Sequence, residues 1–143
     1  MRSAPGQCSV ADVSTLVPYS QRIASLLAEL GIPESYATES GMQLHEEASA
    51  LSSVGLDMYG REQRLTPATA KAWQRMQESA AAAGEELLLV SGFRSVERQK
   101  EIWLGKLQKG QTVPQILSVN AAPGYSEHHT GRAIDIATSG QPP

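Results

Sequence analysis

The sequence predicts an α+β domain, and three observations carry that prediction. Apolar residues recur at helical spacing early in the chain, at Ile23, Leu26, Leu27 and Leu30 and again at Trp73, Met76, Ala80 and Ala83. The two segments that read as strands, Leu87 to Val90 and Arg132 to Ala137, come late and enclose a further helix. At 143 residues with 41% apolar content, the chain is long enough for one real core and too short for two ordinary domains.

Residues 1–18, with Pro5, Gly6 and Pro18 and little periodicity, read as a loose arm before a single domain over 19–143. Ser20 is the expected cap of the first helix, and Gly31 and Pro33 its stop. A second helix is expected from about Ser40 to Ser52, with Met42, Ala48 and Leu51 as its apolar side. Residues 53–65, containing Gly55, Gly60 and the Arg-Glu-Gln-Arg patch, read as loop.

The third helix has the clearest start. Thr66 is a good N-cap, Pro67 suits the first helical position, and Gly84 marks the end. Leu87 to Val90 is a short apolar run, expected as a strand buried on both faces. After a turn at Gly92, Ser95 caps a fourth helix to about Leu107, and Pro114 to Ser118 adds one helical turn. Asn120 to Tyr125 is turn-rich. In the last strand Ile134 and Ile136 point one way, while Ala133, Asp135 and Ala137 point the other. Small neighbours beside Asp135 leave room for an ion and a ligand.

Composition excludes several classes. A net charge of −3 with no basic run gives no electrostatic case for nucleic acid. No apolar stretch approaches the length that spans a bilayer. Cys8 is alone, so neither an intrachain disulfide nor a cysteine-based zinc site is open to this sequence. The first eight residues lack the apolar core of a secretory signal, which leaves a cytoplasmic protein or a signal already removed.

The chemistry gathers in Pro123 to Ile136, which holds His128 and Asp135. Imidazole nitrogen and carboxylate oxygen are the usual non-sulfur ligands of catalytic zinc, which needs three protein groups and one open position. The two residues are seven apart, too far for one helical face, and converge only if a turn near Thr130-Gly131 folds the loop back. Ser126 falls in the same loop. Upstream, Arg94 leaves the end of a buried strand, and Gln99 follows one helical turn beyond the Ser95 cap. A guanidinium donates in pairs and suits a carboxylate or a developing oxyanion. Two readings of Arg94 stand open: it turns into this space, or it pairs with a surface carboxylate such as Glu97.

Ser91-Gly-Phe-Arg-Ser-Val-Glu-Arg-Gln99 and Ser126-x-His-x-x-Gly-x-Ala-x-Asp135, in that order and at that separation, resemble the VanY-type zinc D-alanyl-D-alanine carboxypeptidases. That group also holds LD-carboxypeptidases and VanX-type dipeptidases. The resemblance covers residues 40–137. It implies N-terminal helices packed on a small, mainly antiparallel sheet bearing the metal site, with the family's C-terminal strands missing. It further implies Zn2+ on His128 and Asp135, Arg94 on the carbonyl oxygen, and Gln99 and Ser126 holding the peptide or its terminal carboxylate. The implied substrate is a peptidoglycan stem peptide losing a terminal D-alanine, and the implied location is the periplasm or cell envelope. His129 falls at a non-ligand position, expected as an imidazole at the pocket rim or just behind the ligands. His45 is expected as a surface residue, since Ser49 stands where a zincin helix needs a second His.

One part of the family pattern has no counterpart. The third ligand and the general base belong to a Glu-x-x-Trp-His motif well after the Asp, and only eight residues follow Asp135. The expectation is a C-terminally incomplete, impaired peptidase, with the remainder on a longer parent or a swapped partner chain. The alternative is a non-catalytic module that binds peptidoglycan peptides.

Overall fold

A computed structural model describes residues 17–140; the arm expected over 1–18 lies almost entirely outside them. Helices α1 (Tyr19–Glu29) and α2 (Tyr36–Ser40) come first, followed by the hairpin β1 (Ser52–Leu56) and β2 (Glu62–Leu65). Helix α3 (Pro67–Ala82), strand β3 (Leu87–Ser91), and helices α4 (Val96–Gln108) and α5 (Val113–Leu117) follow. A 3-10 turn (Glu127–Thr130) and strand β4 (Asp135–Thr138) complete the order. Helices with small antiparallel sheets give the expected α+β class, but the strands form two two-stranded sheets, β1–β2 and β3–β4.

The helices with strong local signals form where expected. Thr66 accepts from the Thr69 N–H with Pro67 in the first turn of α3, and Ser95 accepts from the Arg98 N–H at the start of α4. Helix α5 carries a full capping box between Thr112 and Gln115. On α1, however, Pro18 rather than Ser20 holds the cap position, and its carbonyl takes the Gln21 and Arg22 N–H groups. On α3 only Trp73 is buried; Met76, expected on the apolar face, is exposed.

Two expectations over 40–65 fail. The helix expected from Ser40 to Ser52 is absent: α2 ends there at a left-handed Gly41, and residues 41–51 run as an irregular strap. The strap's main chain bonds to the loop that carries the site, His45 N–H to Gly124 O at 2.8 Å and Ala48 N–H to His129 O at 2.9 Å. These distant partners replace the i−4 carbonyls that a helix would need. Residues 53–65, expected as loop, form the β1–β2 hairpin, with an irregularity where Gly55 takes φ +88°. Buried Asp57 organises the turn: it accepts from the Tyr59 and Arg61 N–H groups, Arg61 Nε at 2.7 Å and Gln63 Nε2 at 2.8 Å.

Two clusters make the core. Ile23, Leu27, Leu30, Ile32, Tyr36, Trp103 and Ile116 pack between the helices. Leu65, Trp73 and Leu89 pack where α3 crosses the strands, with Ile134 against them. Full burial of each such side chain contributes about 1.5–3 kcal/mol. Strand β3 is covered less than its sequence suggests, since only Leu89 is buried. Strand β4 starts at Asp135, later than expected. Ile134 packs in the core just before it while Ile136 stays exposed, so the two isoleucines do not share a buried face. Among the described residues no helix is long and apolar enough to cross a membrane.

Candidate metal centre

Strand β4 pairs with β3 so that Asp135 lies opposite Ser91, beyond an irregularity after Leu89. That register sets the carboxylate beside the exit of β3, from which Gly92 to Ser95 leads into α4. The 3-10 turn returns to the same place. Ser126 caps it by accepting from the His128 N–H at 3.2 Å, and Gly131 ends it in a left-handed conformation, φ +69°. A Cβ on Gly131 would meet Leu51 at 2.9 Å and Ala48 and Thr66 at 3.2 Å, so this turn needs glycine twice over.

Residues 92–94 and 128–129 are joined by three hydrogen bonds. His128 Nδ1 meets Gly92 O at 2.7 Å, Arg94 N–H donates to His128 O at 3.0 Å, and His129 Nδ1 meets Arg94 O at 2.7 Å. A carbonyl only accepts, so Nδ1 carries the proton on both rings. In the neutral ring His128 Nε2 then presents a lone pair, and 3.2 Å away stands Asp135 Oδ2. Two electron pairs facing each other call for a proton or a cation between them. The spacing suits a shared ion, because donors at about 2.0–2.1 Å in a tetrahedral shell sit about 3.4 Å apart. The His128 side chain is 14% exposed and that of Asp135 58%, so the pair opens to solvent on the carboxylate side. The donors therefore fit zinc, with the Nδ1 bond to a backbone carbonyl orienting the ring as ligand imidazoles usually are. Among the described residues no third His, Cys, Asp or Glu joins them.

Arg94 turns inward rather than to Glu97. Its Nη1 donates to Gln99 Oε1 at 3.1 Å and its Nη2 to Ser91 Oγ at 3.0 Å. Burial draws the guanidinium down from its usual range, and the Asp135 carboxylate pushes part of the way back. Gln99, expected to touch substrate, is fully buried, and its Nε2 donates to Ala121 O at 2.8 Å. Both ends of its amide are engaged inside the fold, and it braces Arg94. Ser126, also expected on the peptide, is 5% exposed and serves as the cap of the turn.

His129 takes the second of its two expected places, behind the ligands. It is fully buried and not at a pocket rim, and its Nε2 accepts from the Gly124 N–H at 3.0 Å. Burial holds its pKa below the usual histidine value, against the Arg94 carbonyl, which raises it. His45 is half-buried and part of the strap, its carbonyl accepting from Tyr19 Oη at 2.7 Å. Sequence reasoning missed the support behind the site altogether. Gln63 Oε1 accepts from the Gly92 N–H at 2.9 Å, and Arg61 Nη2 donates to Val90 O at 3.1 Å. The one available signal was the alternation of Val54 and Leu56 with Gln63 and Leu65, which would have shown the hairpin and not its side-chain bonds.

The chain is 41% identical over 70 residues to the Bacillus subtilis (strain 168) protein named "Putative carboxypeptidase YodJ", covering 48% of this chain and 25% of that one. It is 34% identical over 77 residues to the bifunctional D-Ala-D-Ala dipeptidase and D-Ala-D-Ala carboxypeptidase VanXYC of Enterococcus gallinarum, covering 54% and 40%. The solved LD-carboxypeptidase LdcB, a structure concerned with peptidoglycan recognition, superposes with a TM-score of 0.57 at 31% identity over 66% of this chain and 45% of that one. The chain thus spans from a quarter to under half of these relatives' lengths. The VanY family model, described as D-alanyl-D-alanine carboxypeptidase, matches residues 62–143, more than half of the chain and all of the site. The chain belongs to the VanY D-alanyl-D-alanine carboxypeptidase family.

Proposed function

We propose that the chain carries part of the zinc centre of a carboxypeptidase that removes a terminal D-alanine from peptidoglycan stem peptides in the cell envelope. One observation carries the reading: Nε2 of His128 faces Asp135 Oδ2 at 3.2 Å, with the ring held from behind by Gly92. Zinc bound there would polarise the scissile carbonyl and acidify water. His128 and Asp135 hold it, and the third ligand and the base come from outside the described residues. Arg94, the charged donor of the site, faces the carbonyl oxygen as negative charge develops on it. Gln99 acts on substrate through Arg94, which it keeps in place. The Ser126 hydroxyl accepts from His128 and still has its own proton to give, which suits a peptide carboxylate.

A second reading, a module that binds stem peptides without hydrolysing them, is favoured by the two donors rather than three among the described residues. The two are separated by measuring zinc content, peptide binding and D-alanine release on one sample, with a stem pentapeptide ending in D-Ala-D-Ala. His128→Ala is expected to abolish zinc binding. Arg94→Ala is expected to lower turnover about 10²–10³-fold with zinc content unchanged. Peptide binding without D-alanine release supports the second reading, and zinc binding that survives His128→Ala defeats the first.

A further inference from the structure

The carbonyl that orients His128 is itself held, and its holder lies outside both sequence motifs. Gly92 O belongs to the Gly92–Phe93 peptide, whose N–H donates to Arg64 O at 2.9 Å on the opposite side. The neighbouring peptide is held by a side chain: the Gly92 N–H donates to Gln63 Oε1 at 2.9 Å. The other end of that amide is pinned, because Gln63 Nε2 donates to Asp57 Oδ2 at 2.8 Å. A carboxylate only accepts, so the amide cannot turn over, and its oxygen must face Gly92. Asp57 is in turn fixed by Arg61 and by two main-chain N–H groups of the hairpin turn. The space agrees: a Cβ on Gly92 would meet Arg64 O at 3.0 Å and Gln63 Oε1 at 3.3 Å, so residue 92 is pressed against β2.

We propose that Gln63 is a positioning residue for the metal centre, holding the Gly92 carbonyl and through it the His128 ring in the orientation that aims Nε2 at the ion. The proposal rests on His128 being a zinc ligand. Without the Gln63 acceptor the N–H of buried Gly92 is left unpaired, and the residue can rotate to find another partner. A rotation that carries the whole residue redirects its carbonyl, which is then held by the single main-chain bond from the Phe93 N–H to Arg64 O. Partners that orient ligand imidazoles typically change metal affinity 10–100-fold when removed, the size of effect expected here.

A purely structural role is the competing explanation, since the Asp57 hub also fastens the hairpin to β3. Arg61 separates the two. It belongs to the same hub and reaches Val90, not Gly92. The experiment measures the zinc dissociation constant of the whole chain by competition with a chromophoric chelator. The variants are Gln63→Met, Gln63→Asn, Arg61→Met and His128→Ala, each with its melting temperature. The Asn side chain is too short to span Asp57 and Gly92, and keeps the amide if Gln63→Met does not fold. Nitrogen NMR of the His128 ring in metal-free protein gives a second reading. Wild type is expected to show one tautomer, protonated at Nδ1, and the Gln63 variants a mixture. Weaker zinc binding by 10–100-fold in the Gln63 variants, with Arg61→Met less stable yet within about twofold of wild type, supports the proposal. Gln63 variants that bind zinc like wild type and keep a single tautomer overturn it, as does an equal loss in Arg61→Met. If His128→Ala binds zinc unchanged, the ligand assignment itself is wrong and the positioning role falls with it.

Discussion

At His128 one ring nitrogen is held inside the fold and the other faces a carboxylate, whereas His129 uses both nitrogens inside. The difference predicts opposite phenotypes for adjacent residues. His129→Ala leaves the Gly124 N–H and the Arg94 carbonyl without partners in a dry place, and should cost about 2–4 kcal/mol of unfolding free energy in urea. Its zinc affinity should stay close to wild type, because no lone pair of His129 faces the site. His128→Ala should do the reverse, losing zinc while remaining folded. Equal losses of zinc binding in the two variants would remove His128 from its assigned role. A family motif made His128 and Asp135 legible in the sequence, and the structure brings them together. Gln63 and Asp57 were not legible, because what marks them is a bond to a residue 29 positions away and a buried turn, neither of which leaves a local pattern.

At the scale of elements, the junctions carry more information than the elements themselves. The 3-10 turn, the strap and the start of α3 meet at Gly131, whose carbonyl accepts from the Thr66 N–H at 2.9 Å. Gly131→Ala must adopt a left-handed backbone and also push a methyl into Leu51, Ala48 and Thr66. It should lose about 2–4 kcal/mol, while Gly140→Ala, with similar φ and open space, should lose only about 1–2 kcal/mol. Denaturation of both variants side by side checks this, and equal losses would mean that the contacts yield without strain. The same contrast explains which elements could be foreseen. Helices α3 and α4 announce themselves through a Thr-Pro and a Ser cap, whose partners lie three residues away. The strap reads as a helix in the sequence because the hydrogen bonds that hold it go to Gly124 and His129, far along the chain.

For the whole molecule, pH should act in two separate windows. Burial lowers the His129 pKa beneath its ordinary 6.5, so the stability from its neutral form is complete above that value and declines as pH falls below it. Asp57 behaves differently. Burial alone would raise its pKa, but hydrogen bonds from Arg61, Gln63 and Tyr59 outweigh burial and hold it at about 2, below the ordinary 3.8. Its contribution is therefore intact above pH 3.8 and lost as pH falls toward 2. Stability measured against pH should show a first decline below 6.5 and a further one below 3.8. Asp57→Asn should flatten the second and leave the first, and a variant that flattens neither would discount the hub.

The bonds that join residues 92–94 to 128–129 also have a temporal meaning. They close loops of 34 to 36 residues, and the Glu47 carboxylate reaches the Val96 N–H across 49. Contacts of such separation are reached only after the entropy of the intervening chain has been given up, so they form late. Helices α3, α4 and α5 can appear early, each on its own side-chain cap, before any place for an ion exists. Acquisition of zinc by a refolding chain would then mark the end of folding rather than its beginning, and the ion would act as a seal on a finished structure.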